Sequence, residues 1–202
     1  MQGYSDRINH AFAFAAKHRT RPAVAGPGVD YLAHPSCVAV MLTGYGCEEA
    51  TIVAGILHHV LEHARPAVRP ELEQKIGAKF GPVVLAVACD AVEPGLAGGE
   101  QWRPSKTEYL AHLAGAEPRA LDICVADEIH ACGSTISALG RYGREYQRSV
   151  SRASADEMLW WYRSLLEQLA GRPDWQRPAM LADLRRMSAQ LVKALRAGDH
   201  DT

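Results

Sequence analysis

Apolar residues recur along most of this chain at intervals of three or four positions, the spacing that places them on one face of a helix. The first such segment carries five of them in register: Ile8, Ala11, Phe12, Ala15 and Ala16. No segment shows the strict apolar–polar alternation that is typical of a half-buried strand. The chain is therefore expected to be all-α, a bundle of roughly eight to ten helices.

Capping residues and helix breakers set the expected ends of these helices. Ser5 is a favourable N-cap for a helix that reaches about His18, and a Pro- and Gly-rich loop follows it. Two Ser-x-x-Glu capping boxes, at Ser105 and Ser154, are expected to begin further helices, and Gly171 is expected to end the second of these. The other expected helices cover about 34–46, 47–63, 69–80, 82–92, 118–139 and 178–197.

Composition adds limits on domain number and partners. The 202 residues, 48% hydrophobic and 22% charged, suit one globular domain over 1–202 with the last helix packed on it. The net charge of −1 gives no reason to expect nucleic acid or an anionic membrane as partner. Since there is no signal segment and no apolar run of bilayer length, a cytoplasmic protein is expected. The sequence leaves the oligomeric state open, and a homo-oligomer is compatible with it.

The segment ILHHVLEH, residues 56–63, places ionisable side chains inside an otherwise apolar helix. His58 and Glu62 are four positions apart and His59 and Glu62 are three apart, so they project from neighbouring surfaces of one helix side. Adjacent residues point about 100° apart on a helix, but both can reach an ion that lies beside it. Burying several polar groups is costly unless each has a partner, and a bound ion is one such partner.

Two residues from other segments complete a candidate ligand set. His34 stands at a helix start before Pro35, and Asp127 interrupts an apolar helix. Three imidazoles and a carboxylate suit Zn²⁺, Mn²⁺ or Fe²⁺. The alternatives are that His34 is a helix-cap residue, that Asp127 pairs with an arginine, and that His63 and His130 face solvent. With nine histidines in the chain, chance clustering is a further alternative.

The order of the segments YLAHP, ILHHVLEH, GAKFGPVV and CVADEIH resembles the hydrolase domain of the RelA/SpoT family, and in particular the small single-domain alarmone hydrolases. These enzymes belong to the HD superfamily of metal-dependent phosphohydrolases. Their motifs are Y-I-x-H-P, L-L-H-D-x-x-E-D and L-A-D-x-x-x-N, and the resemblance covers about residues 5–170. It implies an HD-type helical bundle and a small phosphorylated molecule as substrate.

Matched to these motifs, four residues are implied as ligands of one divalent ion: His34, His58, His59 and Asp127. His59 stands where the family has an aspartate. The resemblance implies Mn²⁺ first, and the additional imidazole shifts the preference toward Zn²⁺, Fe²⁺ or Ni²⁺. Glu62 matches the family's catalytic glutamate, which helps to activate the attacking water. His63 replaces another aspartate of the family and is expected to assist Glu62.

The substrate-binding residues depart further from the family. Its Arg-Lys pair, which holds the guanine nucleotide, is replaced by Ala23 and Val24, with Arg19 and Arg21 nearby in the chain. The segment WRPSKTEYLAHL does resemble the family's segment, and three of its residues would face the cleft and meet phosphate: Arg103, Lys106 and Tyr109. A solvated helix start is the alternative interpretation of these three residues.

The leading hypothesis is a metal-dependent phosphohydrolase that cleaves a nucleotide or nucleotide-like (pyro)phosphate, similar to guanosine tetraphosphate 3′-pyrophosphohydrolases. The alternative is a degenerate HD domain that binds a metal or ligand without hydrolysis, because His59, His63 and Ala131 replace two Asp and one Asn of the family. A third hypothesis is oxygen chemistry at two metal ions. It needs additional histidine ligands, and no segment of the sequence supplies them in a recognisable motif.

Overall fold

The computed structural model describes residues 4–18, 31–94, 101–150 and 153–197. Within these ranges the regular secondary structure is entirely helical and comprises nine α-helices, which confirms the all-α prediction. The helices are α1 (Asp6–His18), α2 (Ala33–Gly44), α3 (Glu49–Glu62), α4 (Arg69–Phe80), α5 (Pro82–Asp90), α6 (Trp102–Leu113), α7 (Pro118–Val150), α8 (Ala155–Ala170) and α9 (Pro178–Ala197).

Helix α3 lies at the centre of the bundle. It packs against α1, α2, α5 and α7, and every residue from Thr51 to Leu61 except His59 is buried. A helix that is apolar on all sides is stable only when other elements surround it. Gly55 permits a close contact with α2, since a Cβ atom there would lie 2.6 Å from Leu42 Cδ1. Among the described residues, no helix is both long and apolar enough to cross a bilayer.

The capping box predicted at Ser154 begins helix α8, as expected. The Ser154 hydroxyl accepts a hydrogen bond from the Glu157 backbone N–H at 3.2 Å, and Glu157 Oε2 accepts one from the Ser154 N–H at 2.8 Å. Gly171 is the C-cap of the same helix, and α9 runs from Pro178 to Ala197 as predicted. The ends of α8 could be predicted from local sequence, because both caps involve residues within one helical turn.

The capping box predicted at Ser105 is wrong. Helix α6 begins three residues earlier, at Trp102, and Ser105 lies inside it. Pro104 is tolerated in the first turn because its missing N–H would have had no helical acceptor there, so the proline does not delay the start of the helix. The Ser105 hydroxyl instead donates to the carbonyl of Pro94, at 3.0 Å, and joins α6 to the segment that follows α5.

A buried carboxylate on α7 fixes the connection between α8 and α9. Asp122 is 2% exposed and accepts hydrogen bonds from Trp175 Nε1 at 2.9 Å and from Arg177 Nε at 3.0 Å. A second Arg177 nitrogen reaches the other carboxylate oxygen at 2.8 Å. Because a buried charge is tolerated only when it is paired, this contact holds the start of α9 against α7. Asp127 lies on α7 only five positions further along the chain.

Candidate metal and catalytic site

The four predicted ligands converge where the start of α2, the last turns of α3 and the middle of α7 meet. His34 Nε2 lies 2.6 Å from Asp127 Oδ1, and His58 Nε2 lies 3.6 Å from the same oxygen. The rings of His34 and His59 stack with their centroids 4.4 Å apart. Asp127 thus contacts two imidazoles and, among the described residues, does not pair with an arginine.

His58 is held in one orientation. It is 2% exposed, and its Nδ1 donates to the carbonyl of Gly55 at 2.7 Å, so its Nε2 faces Asp127. Burial lowers the pKa of His58, but the hydrogen bond and charge of Asp127 outweigh burial and raise it. Burial likewise opposes ionisation of Asp127, while His34 and His58 keep the pKa of its carboxyl well below the usual range. A metal ion that binds here would replace the protons that His34 and His58 place against Asp127.

Glu62 lies one turn beyond these imidazoles and is largely buried, with 12% of its side chain exposed. Burial acts to raise the pKa of Glu62, but the neighbouring imidazoles of His59 and His58 lower it overall. The carboxylate is therefore ionised at neutral pH. Its second oxygen, Oε1, accepts a hydrogen bond from the backbone N–H of Glu93 at 3.4 Å.

His63 and His130 extend the cluster at its two ends. The Nε2 atoms of His59 and His63 are 3.1 Å apart, and His63 is 12% exposed. His130 Nδ1 lies 2.8 Å from His34 Nδ1, and burial together with His34 lowers the pKa of His130 to about 4. The interpretation that both side chains face solvent is therefore wrong. The available signal for His130 was its spacing, three positions after Asp127 on the same helix.

The donor atoms include two groups close enough together to hold a metal ion. Two sets of side chains have ligand atoms within 4.8 Å of one another among the described residues, His34–His59–Asp127 and His58–His59–Glu62. The Nδ1 of His59 is buried and lies 3.2 Å from Glu62 Oε2, but it is not aligned for a hydrogen bond. Imidazole and carboxylate ligands suit Zn²⁺, Fe²⁺, Ni²⁺ and Mn²⁺, so the residues fit a divalent ion.

The residues predicted to contact phosphate from α6 have partners within the fold. Lys106 Nζ donates to Glu93 at 2.8 Å and to Glu128 at 3.3 Å, and it lies 4.3 Å from the centre of the Trp161 ring. Burial lowers the pKa of Lys106, but these two carboxylates raise it overall. Sequence spacing could not reveal this network, because its members come from three separate segments.

Two other residues predicted to contact the substrate also have partners within the fold, and two lie outside the described residues. Tyr109 is buried, and its hydroxyl donates to the carbonyl of Ala91 at 3.2 Å. The guanidinium of Arg103 stacks on Trp160, with its central carbon 4.2 Å from the ring centroid. Arg19 and Arg21 lie outside the described residues, as do Ala23 and Val24.

A cavity of about 330 Å³ adjoins the imidazole cluster on the α7 side. His34 and His130 form its inner wall, and small or polar residues of the next turns of α7 continue it, including Ser134, Ser137 and Arg141. This volume is at the lower end of the range of small-molecule sites. The cavity therefore offers room for a ligand in direct contact with the cluster.

Comparison with known proteins places this chain in a family. A family model described as HD domain matches residues 11–113. The guanosine-3′,5′-bis(diphosphate) 3′-pyrophosphohydrolase of Spiroplasma citri is 26% identical over 153 residues, 74% of this chain and 19% of that protein. The GTP pyrophosphokinase rsh of Brucella melitensis is 36% identical over 78 residues, 38% of this chain and 10% of that protein. The match thus spans a fifth or less of these relatives' length.

Two solved structures share the fold. The protein lmo0812 from Listeria monocytogenes EGD-e has a TM-score of 0.64 at 22% identity, covering 80% of this chain and 99% of that one. A metazoan orthologue of SpoT that hydrolyses ppGpp has a TM-score of 0.69 at 19% identity, covering 94% of this chain and 98% of that one. With the family model matching about half of its length, the chain belongs to the HD domain family, and RelA/SpoT-type enzymes are among its relatives.

Proposed function

We propose that this protein is a metal-dependent phosphohydrolase that cleaves a phosphate ester or pyrophosphate bond in a nucleotide or nucleotide-like small molecule. The convergence of His34, His58, His59 and Asp127 beside the ionised Glu62 carries this proposal. Membership of the HD domain family and similarity to a protein named as a 3′-pyrophosphohydrolase support it.

One divalent ion, Mn²⁺ in the first instance, would be held by His34, His58, His59 and Asp127. A bound ion of this kind lowers the pKa of a coordinated water and polarises a phosphoryl oxygen. The residues supply the rest of the site. Asp127 gives negative charge, and the Gly55 carbonyl fixes the His58 ring so that its Nε2 is presented to the site.

Glu62 is the proposed acceptor for the proton of the attacking water. Its carboxylate is ionised, buried and next to two imidazoles, so it can orient a water molecule without a large rearrangement. His63 lies 3.9 Å from Glu62 Oε2 and is the proposed second acceptor, since an imidazole exchanges protons near neutral pH.

The cavity along α7 is the proposed position of the rest of the substrate. Ser134 and Ser137 offer hydroxyl groups there, and Arg141 offers a guanidinium that suits a phosphate. Lys106 is assigned an indirect role, because it is already paired with Glu93 and Glu128. It would position Glu93, whose backbone N–H contacts Glu62.

The experiment that tests the proposal measures phosphate or pyrophosphate release from a panel of nucleotides and sugar nucleotides, with and without added Mn²⁺. We expect at least one phosphorylated substrate to be turned over only when the ion is present. Absence of turnover across the panel by protein that retains bound metal would favour the binding module without hydrolysis.

A further inference from the structure

We propose that Tyr31 is a positioning residue of the hydrolytic site, and that its buried hydroxyl donates a hydrogen bond to Glu62 Oε2 when the site holds its ion. Tyr31 is neither one of the proposed ligands nor one of the proposed proton acceptors. Its consequence for catalysis rests on the proposed function, whereas the hydrogen bond itself is tested by ion binding and stability.

The Tyr31 hydroxyl is buried without a hydrogen-bond partner. Tyr31 is 7% exposed, and its Oη has neither a donor nor an acceptor within reach in the described part of the chain. An unpaired buried hydroxyl costs free energy, and a phenylalanine would fill the same space without that cost. The tyrosine is explained if its hydroxyl has an acceptor in another state of the site.

Tyr31 and Glu62 lie against the same imidazole. The ring centroids of Tyr31 and His59 are 5.8 Å apart with their planes tilted by 31°, and Glu62 Oε2 lies 3.2 Å from His59 Nδ1. Burial and then the charge of Glu62 raise the pKa of Tyr31 to about 12. The phenol therefore keeps its proton at neutral pH and is available as a hydrogen-bond donor beside the carboxylate.

Glu62 has an oxygen that can accept this hydrogen bond. Its Oε1 accepts from the Glu93 N–H at 3.4 Å, whereas Oε2 lies 3.2 Å from His59 and 3.9 Å from His63 without an aligned donor among the described residues. Coordination by His59 commits one of its nitrogens to the ion, and the adjacent carboxylate then needs another donor to fix its direction. The Tyr31 hydroxyl can supply that donor, because it lies beside the same imidazole and has no other acceptor.

This arrangement would orient the proton acceptor without contact to the substrate. A carboxylate offers about four acceptor positions, so hydrogen bonds from the Glu93 N–H and from Tyr31 leave room for the attacking water. Tyr31→Phe should therefore lower kcat and leave the KM of the substrate almost unchanged.

The decisive measurements are the Mn²⁺ affinity and the melting temperature of Tyr31→Phe in the absence of substrate. Chelator-stripped protein is titrated with Mn²⁺ by calorimetry and melted before and after saturation. Stripped Tyr31→Phe should melt at or above the wild-type temperature, because it loses only an unpaired hydroxyl. Its Mn²⁺ affinity should be about tenfold lower, the effect of one missing hydrogen bond to a charged group.

Tyr109→Phe is the matched control, since it also removes one buried phenol hydroxyl. The Tyr109 hydroxyl donates to the Ala91 carbonyl at 3.2 Å, an acceptor that is present with or without the ion. The substitution should therefore lower the melting temperature of stripped and loaded protein alike and leave the Mn²⁺ affinity unchanged.

Combination with Glu62→Ala identifies the acceptor, because Tyr31→Phe should no longer change the Mn²⁺ affinity in that background. The role of Tyr31 would be overturned by an effect that persists without Glu62, by an unchanged Mn²⁺ affinity, or by a wild type that binds no ion. A stripped Tyr31→Phe that loses as much stability as Tyr109→Phe would overturn it as well. Phosphate release with an affinity that is independent of Tyr31 would keep the proposed function and reject the role of Tyr31, whereas a Tyr31-dependent affinity without turnover would do the reverse.

Discussion

At the scale of single residues, the replacement of carboxylates by imidazoles changes the charge of the site. His59 and His63 occupy positions where the resembled RelA/SpoT motif has aspartate, so Asp127 and Glu62 are the carboxylates that remain among the proposed ligands and proton acceptors. A neutral imidazole is a stronger ligand than a carboxylate for Zn²⁺, Fe²⁺ and Ni²⁺, and a less favourable one for Mn²⁺ or Mg²⁺. The site should therefore distinguish among ions differently from its relatives.

Ion selectivity tests this difference. We expect wild-type protein to bind Zn²⁺ and Ni²⁺ at least tenfold more tightly than Mn²⁺, following the order of affinities for nitrogen-rich sites. His59→Asp should lower the ratio of Zn²⁺ or Ni²⁺ affinity to Mn²⁺ affinity, because the substitution returns a carboxylate to the site. Competition titrations against a chelating dye measure both proteins. An unchanged ratio in His59→Asp would show that His59 is not a ligand.

A pH dependence of stability follows from Glu93. Burial raises the pKa of Glu93 from 4.5 to about 7, although Lys106 opposes this. The folded protein therefore holds a proton that the unfolded chain has already lost between these values, so the contribution of Glu93 to stability falls as the pH rises through this window.

Glu93→Gln removes this titration. Relative to the variant, the wild type should lose on the order of 2 kcal/mol of unfolding free energy between about pH 5 and about pH 8. Urea unfolding at both pH values measures the difference. Lys106 keeps Glu128 as a partner in the variant, which limits the disruption. If the unfolding free energies of the two proteins changed equally between these pH values, the raised pKa of Glu93 would be contradicted.

At the scale of helices, contacts between distant segments decide where the site residues lie. Periodicity and local caps predicted α8 and α9 well, because Ser154 and Glu157 complete their capping box within one turn. The same motif at Ser105 did not mark a helix start. Pro104 is compatible with a helix that begins at Trp102, and the Ser105 hydroxyl donates a hydrogen bond to the carbonyl of Pro94. A local pattern cannot indicate which of these two arrangements has the lower free energy.

The Asp122 contact is the element-scale feature with the largest expected effect. Asp122→Ala leaves Arg177 and Trp175 without their shared acceptor and should lower the free energy of unfolding by about 3 kcal/mol. Chemical denaturation measures this loss. Asp156→Ala is the matched control, since its ion pair with Arg196 is at the surface with 85% of the Asp156 side chain exposed, and it should change stability little. Equal changes in the free energy of unfolding for the two substitutions would show that the contact of Asp122 with Arg177 and Trp175 stabilises the fold no more than a surface ion pair does.

At the scale of the whole molecule, the helical bundle brings together residues from three regions of the chain. The sequence motifs indicated His34, His58, His59 and Asp127 because they match a known order of segments. The motifs could not indicate the contact between His34 and His130 or the Glu93–Lys106–Glu128 network, since these contacts depend on how separate helices pack. The resemblance thus indicates side chains that do lie close together in the bundle, whereas their surroundings depend on packing between helices.

Substrate preference is expected to differ from that of the RelA/SpoT family. The RelA/SpoT Arg-Lys pair is replaced by Ala23 and Val24, and each lost cation–π contact to a guanine base would cost about 1–2 kcal/mol. We expect slower hydrolysis of guanosine tetraphosphate than by a RelA/SpoT-type hydrolase, measured in parallel with the nucleotide panel. Efficient hydrolysis that is lost in Arg19→Ala or Arg21→Ala would show instead that one of these arginines restores the contact.

The most direct test of a metal-dependent hydrolase at this site is phosphate release by chelator-stripped protein before and after Mn²⁺ is returned, for wild type and Glu62→Gln. We expect no release from the stripped wild type and restored release with the ion. Glu62→Gln should keep the fold and the ion at His34 and Asp127 but lose about 10²–10⁴-fold in rate. Release that does not depend on the ion, or that is unchanged in Glu62→Gln, would contradict the assignment of this cluster as a hydrolytic centre.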